Sequence, residues 1–344
     1  MYKVVASFFD GFSGTMFALD KLGIEPDEYH AFEIDPYPTA VSKYNFPNII
    51  RHGDARNWTK LKGKKIDLLV AGFPCQSYSI AGLRKYQEDD RDMSKVLIQA
   101  LKELDVDKVL IENVASMPTE WRDYFTQTFK EIFPDISLYL EDSAKSSPQS
   151  RKRFYWTNII YNDIKDEGMV LNDILEDGAM ADRDKSHCLD ANYFKGGNLE
   201  HYYKKSRRQV VFSTNRLDKC KQVGVADLKG YDIIKRVYDR QGKSPTLTTM
   251  QGGWRMPKVP TLGTMDSDKL GWRALTPLEC ERLQTVPDGC TRYGDFDDGK
   301  RENVFSFQTA EDIKPISNSQ RYKMLGNGFC VSTIANILKG VDYD

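Results

Sequence analysis

Residues 1–160 alternate short apolar runs with longer amphipathic segments. The runs KVVASFF, YHAFEID, IDLLVAG and KVLIEN are rich in branched residues, so each predicts a buried strand. Segments with helical spacing follow them, at 15–22, at 38–44, at 93–104 and after Pro118. Strands that alternate with helices in this way form a parallel sheet covered on both faces. The segments SLYLEDSA and RFYWTNII predict two antiparallel strands that close the sheet.

The pattern changes beyond these closing strands. Segments become shorter, glycines occur in pairs, and β-rich pieces such as RQVVFS and SPTLTTM appear. Near the C-terminus helical spacing returns, most clearly in VSTIANILKG. We therefore predict an α/β, Rossmann-like domain over 1–164, a smaller β-rich domain over 165–270, and a segment over 271–344 that returns to the first domain.

Charge adds one feature to this outline. The 344 residues include 49 Lys and Arg against 50 Asp and Glu, so the formal net charge is only -1. Residues 201–243, however, hold twelve Lys and Arg against four Asp, a local balance of +8. Such segregation suits binding to a phosphate backbone, although a solvated basic face explains the charge alone equally well.

Neither a membrane nor a metal site is predicted. No apolar run approaches the roughly 20 residues that span a bilayer, and the first residues carry no cleavage signal, so we expect a cytoplasmic protein. The six cysteines show neither a Cys-x-x-Cys pair nor the Cys/His spacing of a zinc site. They are typical of reduced thiols in an intracellular protein.

Candidate binding groups follow the first three strands. The turn from Phe9 to Gly14 joins a strand to a helix, where backbone N–H groups can meet a cofactor. Glu33 ends the second strand about twenty residues later, where an acid can accept ribose hydroxyls, and Asp54 can accept from an adenine amino group. Singly, the three have ordinary explanations as loop chemistry, a surface carboxylate and a helix cap. Their positions at successive strand ends favour a nucleoside cofactor.

Candidate catalytic groups follow the next two strands. Cys75 lies in GFPCQS directly after IDLLVAG, and Glu112 ends KVLIEN, so a thiol and a carboxylate should share one edge of the sheet. Arg151 and Arg153 alternate in QSRKR and should point to one face of an extended strand, where two guanidiniums favour a thiolate. An inert buried thiol and structural ion pairs are the alternatives for these groups.

The chain resembles the cytosine-C5 DNA methyltransferases of bacteria and phages. The matching motifs occur in the family's order: FxGxSG, Glu33, GDA, GFPCQS, ENV, QSRKR, RALTPLECERLQ and LGNGF. Residues 165–270 correspond to the family's variable target-recognition domain. The resemblance implies a mixed-sheet methyltransferase domain that uses S-adenosylmethionine, releases S-adenosylhomocysteine and needs no metal.

The resemblance also assigns catalytic roles. Cys75 matches the nucleophile that adds to C6 of cytosine, which makes C5 reactive toward a methyl donor. Glu112 matches the acid that holds the base at its ring nitrogen, and Asn113 would help to shape this pocket. Arg151 and Arg153 match the arginines that grip the ring carbonyl and order the site.

A cofactor site is implied as well. It consists of Phe9, Gly11, Phe12, Ser13, Glu33, Asp54, Pro74 and Asn327. The chain departs from the family pattern at Ser13, where a glycine is usual, and at Gly328 and Ala81, where serines are usual. These departures leave open the fine shape of the pocket and the use of an unusual donor.

The implied partner is double-stranded DNA, from which the target cytosine must be flipped out. The residues expected to contact DNA are Gln76, Ser79, Arg207, Arg208, Lys235, Arg236 and the pair Thr246 and Leu247. A cognate restriction endonuclease is a further candidate partner, and we expect a monomer that acts on the nucleoid of a prokaryotic or phage-infected cell. The recognised DNA sequence stays open.

Three alternatives are kept. One branch of the family methylates transfer RNA, although the Thr-Leu pair and the size of the middle region favour duplex DNA. The second is a non-catalytic DNA-binding relative, against which intact Cys75, Glu112, Arg151 and Arg153 argue. The third is a cysteine hydrolase, which we rank last because none of the four histidines lies in a strand-end motif beside Cys75.

Overall fold

A seven-stranded sheet forms the centre of the protein. The computed structural model describes residues 2–74, 93–176, 179–195, 199–213, 222–225, 236–238, 272–297 and 312–340. The strands of the sheet are β1 (Val4–Phe8), β2 (Glu28–Phe32), β3 (Ile50–Arg51), β4 (Lys65–Ala71), β5 (Asp105–Val114), β6 (Ser137–Asp142) and β7 (Lys152–Thr157). They lie side by side in the order β3-β2-β1-β4-β5-β7-β6.

The direction of the strands confirms the predicted fold class. Strands β1 to β5 are parallel, whereas β7 runs antiparallel to both β5 and β6. The spatial order reverses at β1 and β4. At such a switch point the connections leave to opposite faces, which opens a crevice at the carboxyl ends of the strands.

Four helices follow the parallel strands: α1 (Gly14–Lys21), α2 (Pro36–Asn45), α3 (Ser94–Glu103) and α4 (Thr119–Ile132). They confirm the three helices predicted with both bounds to within two residues at each end, and α4 begins directly after Pro118 as predicted. Local chemistry explains the start of α2, where the side chain of Asp35 accepts a hydrogen bond from the backbone N–H of Tyr37 at 3.1 Å and Pro36 occupies the first helical position.

Both faces of the sheet are buried. In β4, Leu68 and Val70 belong to one apolar cluster, while Leu69 and Ala71 belong to a second cluster on the opposite face. Because neighbouring side chains of a strand point to opposite faces, double burial requires the continuous apolar run from which this strand was predicted.

The region that follows β7 is only partly separate from the sheet domain. Its elements are β8 (Ala179–Met180), α5 (Leu199–Lys205), β9 (Val210–Ser213), β10 (Gln222–Val225), β11 (Arg236–Tyr238) and β12 (Trp272–Ala274). Strands β12, β9 and β8 form a small antiparallel sheet, and β10 pairs with β11. A small apolar cluster of Tyr202, Val210 and Phe212 lies beside this sheet.

Packing divides the chain differently from the sequence pattern. Leu171, Ile174, Leu189 and Tyr193 are buried in the same apolar cluster as β4, so the large core extends well beyond residue 164. At the other boundary, β12 lies after residue 270 and still pairs with β9. The change of pattern thus marks the end of the large sheet rather than the end of the shared core. A target-recognition domain over 165–270 stays a prediction.

The C-terminal segment completes the sheet domain. It contains α6 (Pro277–Leu283), β13 (Tyr293–Asp295), β14 (Ile313–Pro315), α7 (Asn318–Asn327) and α8 (Val331–Leu338). Helix α8 packs on α1, and β13 packs on α2. The apolar positions of α8 that recur at helical spacing are buried in the cluster that also contains Val70. This shared burial is the physical reason for the predicted return of the chain.

Candidate active site

A cavity of about 580 Å³ opens at the carboxyl ends of β1, β2, β4 and β5. Every described residue predicted to bind the cofactor or to act in catalysis lines it, with the exception of Ser13. These lining residues are Phe9, Gly11, Phe12, Glu33, Asp54, Pro74, Glu112, Asn113, Arg151, Arg153 and Asn327. The structure therefore brings together groups that are far apart in the sequence.

The turn after β1 forms one wall of the cavity. Phe9 and Gly11 have positive φ angles of 57° and 58°, and the N–H of Asp10 donates to the carbonyl of Phe32 at 3.0 Å. This conformation turns the N–H of Gly11 toward Glu33, whose Oε2 accepts it at 2.9 Å. The first and second strands are thus joined at the point where a cofactor would lie.

The partners of Glu33 among the described residues are backbone N–H groups. Besides Gly11, the N–H groups of Ile34 and Asp35 donate to its Oε1 at 2.9 and 2.8 Å. Burial raises the pKa of Glu33, and the three N–H groups oppose that shift. Because a carboxylate offers about four acceptor sites, Glu33 keeps capacity for a ligand hydroxyl.

Ile34 is a lining residue that the sequence analysis missed. Its side chain is 74% exposed although it is large and apolar. An apolar side chain beside a fixed carboxylate suits a flat ring next to a sugar. Its position directly after the strand-end acid was the only signal in the sequence.

Asp54 occupies the position of a helix cap. Its Oδ1 accepts from the N–H of Arg56 at 2.8 Å at the start of the short 3-10 helix Ala55–Leu61, and its Oδ2 lies 2.9 Å from Nη1 of Arg56. The ordinary explanation of this residue is therefore present. Asp54 also lines the cavity, so the adenine contact stays a prediction.

The segment that leads to Cys75 lies against the end of β5. Gly72, Phe73 and Pro74 line the cavity, and Nδ2 of Asn113 donates to the carbonyl of Phe73 at 3.2 Å. A Cβ atom at Gly72 would lie 2.9 Å from the ring of Phe329, so only glycine fits this position without a shift of the ring. Asn113 thus fixes the approach to the thiol. Cys75, Gln76 and Ser79 lie outside the described residues.

An ion pair between Arg153 and Glu112 lines the cavity. Nε of Arg153 is 2.8 Å from Oε1 of Glu112, and the two side chains are 14% and 13% exposed. Burial is the largest single influence and lowers the pKa of Arg153, but the charge of Glu112 and smaller contributions from Cys188 and Tyr155 together raise it, so the guanidinium stays charged. The predicted carboxylate and one predicted guanidinium are therefore direct partners.

Arg151 has different partners. It is only 3% exposed, and its guanidinium donates to the carbonyls of Leu189 at 2.9 Å, Gly326 at 3.2 Å and Gly328 at 2.8 Å. These bonds join β7 to the C-terminal segment. Arg151 and Arg153 also reach Sγ of Cys188, at 3.5 and 3.9 Å, which places both on one side as predicted.

Gln149 was missed by the sequence analysis. It is fully buried, and its Oε1 accepts from the N–H of Leu189 at 3.0 Å while its Nε2 donates to the carbonyl of Leu283 at 3.2 Å. The alternation that relates Arg151 to Arg153 also includes Gln149. That alternation was the signal for an inward-facing amide.

The C-terminal segment supplies the wall that adjoins the first turn. Asn327 ends α7 in the cavity, and a Cβ atom at Gly328 would lie 2.6 Å from the ring of Phe12. Phe12 is 1% exposed, so this ring has little room to move. The departure from the usual serine at residue 328 therefore matches the bulk of Phe12.

Ser13 is placed differently from the other predicted cofactor residues. Its side chain is fully buried, and its hydroxyl lies 2.5 Å from Oδ2 of Asp10 and 2.6 Å from Oγ of Ser42. The hydroxyl is thus directed behind the turn, and Ser13 does not line the cavity. A direct contact between this side chain and the cofactor has no support in the structure.

The predicted DNA contacts are described only in part. Arg207 has a half-exposed side chain that lies 3.3 Å from Asp190, and Arg208 has a φ of 56°. Arg236 begins β11, but its side chain is not described, and Lys235, Thr246 and Leu247 lie outside the described residues. Within the described ranges, no helix is long and apolar enough to cross a membrane.

The chain belongs to the C-5 cytosine-specific DNA methylase family, whose pattern matches residues 4–342. It is therefore an enzyme of that class. It is 26% identical to the orphan methyltransferase M.SPBetaI of Bacillus phage SPbeta, over 97% of this chain and 96% of the relative. It is 24% identical to the type II methyltransferase M.HhaI of Haemophilus parahaemolyticus, over 98% of this chain and 92% of the relative.

Solved structures show the same fold. A DNMT2 mutant from Spodoptera frugiperda matches with a TM-score of 0.58 and 18% identity, over 98% of both chains. The methyltransferase EhMeth from Entamoeba histolytica matches with a TM-score of 0.57 and 15% identity, over 99% of this chain and 98% of that one. The Rossmann-like methyltransferase fold predicted from the sequence is thus confirmed.

Proposed function

We propose that this protein transfers a methyl group from S-adenosylmethionine to C5 of a cytosine flipped out of a specific duplex DNA sequence. The observation that carries the proposal is the Glu112–Arg153 ion pair, which lies in the same cavity as Glu33 and beside the segment that leads to Cys75. The proposed cofactor site and the proposed base site would thus share one cavity.

The residues that line the cavity around Glu33 fit a nucleoside cofactor. Glu33 would accept the ribose hydroxyls, Ile34 would cover the adenine ring, and Asp54 would accept from the adenine amino group. Phe9, Phe12, Gly11, Pro74 and Asn327 would enclose the rest of the molecule. When bound, S-adenosylmethionine supplies a methyl group on a positively charged sulfur.

The part of the cavity around Glu112 suits the cytosine ring. The Cys75 thiolate would add to C6, and Glu112 would hold the ring nitrogen and donate a proton to it, which neutralises the negative charge that develops there. Arg153 would orient Glu112 and the ring carbonyl, while Asn113 and Arg151 would fix the segments on either side. Once C5 has taken the methyl group and S-adenosylhomocysteine is released, loss of the C5 proton and expulsion of Cys75 would complete the reaction.

DNA would be bound by the basic stretch and by the loop after Cys75. Arg207, Arg208, Lys235 and Arg236 are suited to phosphates, and the other predicted contacts are Gln76, Ser79, Thr246 and Leu247. We further propose a monomer that acts on the nucleoid, with a cognate restriction endonuclease as a candidate partner.

The test compares the protein with its Cys75→Ala variant. Each is incubated with S-adenosylmethionine and, in separate reactions, with mixed-sequence duplex DNA or transfer RNA, and the digested nucleosides are weighed by mass spectrometry. A methyl increment on cytosine with the unaltered protein alone is the expected result. Equal methylation by the variant would contradict the proposed nucleophile, and a product on transfer RNA only would contradict the DNA substrate.

A further inference from the structure

The turn after β1 contains three left-handed residues among five. Phe9, Gly11 and Ser13 have φ angles of 57°, 58° and 67°. L-residues are disfavoured in this region because their Cβ approaches the following carbonyl oxygen, and only Gly11 escapes that conflict. The turn therefore needs other interactions to hold its shape.

A chain of buried hydrogen bonds lies directly behind this turn. Nη2 of Arg51 donates to Oγ of Ser42 at 2.9 Å, Ser42 and Ser13 are joined through their Oγ atoms at 2.6 Å, and Oγ of Ser13 lies 2.5 Å from Oδ2 of Asp10. The hydroxyl of Tyr29 donates to the other oxygen of Asp10 at 2.6 Å. Asp10, Ser13 and Ser42 are each at most 4% exposed.

The direction of this chain is fixed by chemistry. Ser13 donates its one hydroxyl hydrogen to Oδ2 of Asp10, so Ser42 must donate to Ser13. Arg51 only donates, which completes a relay of one sense from its guanidinium to the carboxyl group of Asp10. Hydrogen bonds that end on charged groups are stronger than neutral ones.

Ser13 uses its hydroxyl in this relay instead of in a helix cap. It occupies the N-cap position of α1, where serine is favoured because its oxygen accepts a backbone N–H, yet it makes no such bond. Its neighbours Asp10, Gly11 and Phe12 line the cavity. The relay thus connects the cavity wall to α2 and to the residue that ends β3.

We propose that Ser13, Ser42 and Arg51 are positioning residues for the cofactor, because their relay to Asp10 keeps the left-handed turn in its binding shape. This inference rests on the proposed function. Loss of the relay would let the free turn relax, and the affinity for cofactor would fall with the fraction of molecules that keep the binding shape.

The test measures binding of S-adenosylhomocysteine by calorimetry, which requires no DNA. Ser13→Ala should raise Kd about tenfold, because alanine keeps the strained Cβ and loses the relay. Ser13→Gly should stay within about threefold of the unaltered protein, because glycine adopts positive φ without strain. In methyl transfer, Ser13→Ala should raise KM for S-adenosylmethionine and leave kcat unchanged.

Two further variants separate positioning from folding. Ser42→Ala breaks the relay without touching the left-handed residue and should raise Kd several-fold. Ser146→Ala removes an equally buried hydroxyl, paired with Thr333 at 2.8 Å away from the cavity, and should lower Tm with Kd unchanged. The inference is overturned if Ser13→Ala and Ser42→Ala lower Tm only. An unaltered protein that fails to bind S-adenosylhomocysteine would overturn the proposed function as well.

Discussion

The cavity holds two carboxylates, Glu33 at one end and Glu112 at the other, in different ways. Glu33 accepts three backbone N–H groups, whereas the described partner of Glu112 in the cavity is the side chain of Arg153. Backbone donors are set by the fold and cannot rotate away, but a guanidinium can exchange one partner for another. The comparison indicates that the proposed cofactor end of the cavity, around Glu33, is formed in advance, whereas the groups of the proposed base end, around Glu112, can be redirected to a substrate.

The largest effect is expected at the base end. Glu112→Gln should lower kcat for methyl transfer by about 10²- to 10⁴-fold, because the amide is a poor acid and loses the charge partner of Arg153. Single-turnover assays measure this loss. Glu103→Gln is the matched control, since Glu103 is an exposed carboxylate paired with Lys62, and it should leave kcat unchanged. Unchanged turnover in Glu112→Gln would contradict the role of Glu112 as an acid and therefore the proposed difference between the two ends of the cavity.

At the cofactor end, the change should appear in binding. Glu33→Gln should raise Kd for S-adenosylhomocysteine by about 10- to 100-fold, because the NH₂ group would face the N–H of Gly11 or of Ile34. Calorimetry reports this change. Glu28→Gln, at the opposite end of β2, should bind normally. If Glu33→Gln kept its affinity, the preformed end would not be the cofactor site.

Arg151, unlike Arg153, is expected to affect mainly the stability of the protein. Arg151→Ala should lower the free energy of unfolding by about 3 kcal/mol, because it removes a charged donor from the buried carbonyls of Leu189 and Gly326 and from the half-buried carbonyl of Gly328. Denaturant titration measures it, with Arg122→Ala as a control, since Arg122 pairs with the neighbouring Asp123 on the surface. A loss below about 0.5 kcal/mol would show that Arg151 does not hold the C-terminal segment.

The smallest effect is expected outside the cavity. Arg207→Gln with Arg208→Gln should weaken DNA binding a few-fold and reduce the slope of log K against log salt by about 1 to 2. Lys62→Gln should leave that slope unchanged, because Lys62 lies in the sheet domain. Identical slopes for all three proteins would mean that the basic stretch is only a solvated face.

The sequence could predict which groups lie in the cavity but not which partners hold them. Continuous apolar runs identified the strands because both faces of the sheet are buried, and strand ends then identified Glu33 and Glu112. The partner of each group was not predictable. That Arg151 would bond carbonyls near residue 327, and that Ser13 would turn toward Ser42, depend on packing between distant segments that leave no periodic trace.

Burial of the residues that follow β7 could not be predicted from the sequence for a related reason. The sequence pattern changes where the large sheet ends, but the apolar side chains of Leu171, Ile174 and Tyr193 continue its core. Isolated buried residues in irregular segments follow no period of 2 or 3.6, so burial there is invisible to pattern analysis.

The central claim is that Cys75 forms a covalent bond to the cytosine ring beside Glu112. The most direct measurement uses duplex DNA in which 5-fluorocytosine replaces cytosine, because fluorine cannot leave C5 as a cation and the adduct therefore persists. Intact-protein mass spectrometry after nuclease digestion should show a methylated fluorocytosine nucleotide on Cys75 when S-adenosylmethionine is present, and none on Cys75→Ala. An unmodified protein that nevertheless methylates ordinary DNA, or an adduct that persists in Cys75→Ala, would contradict the account.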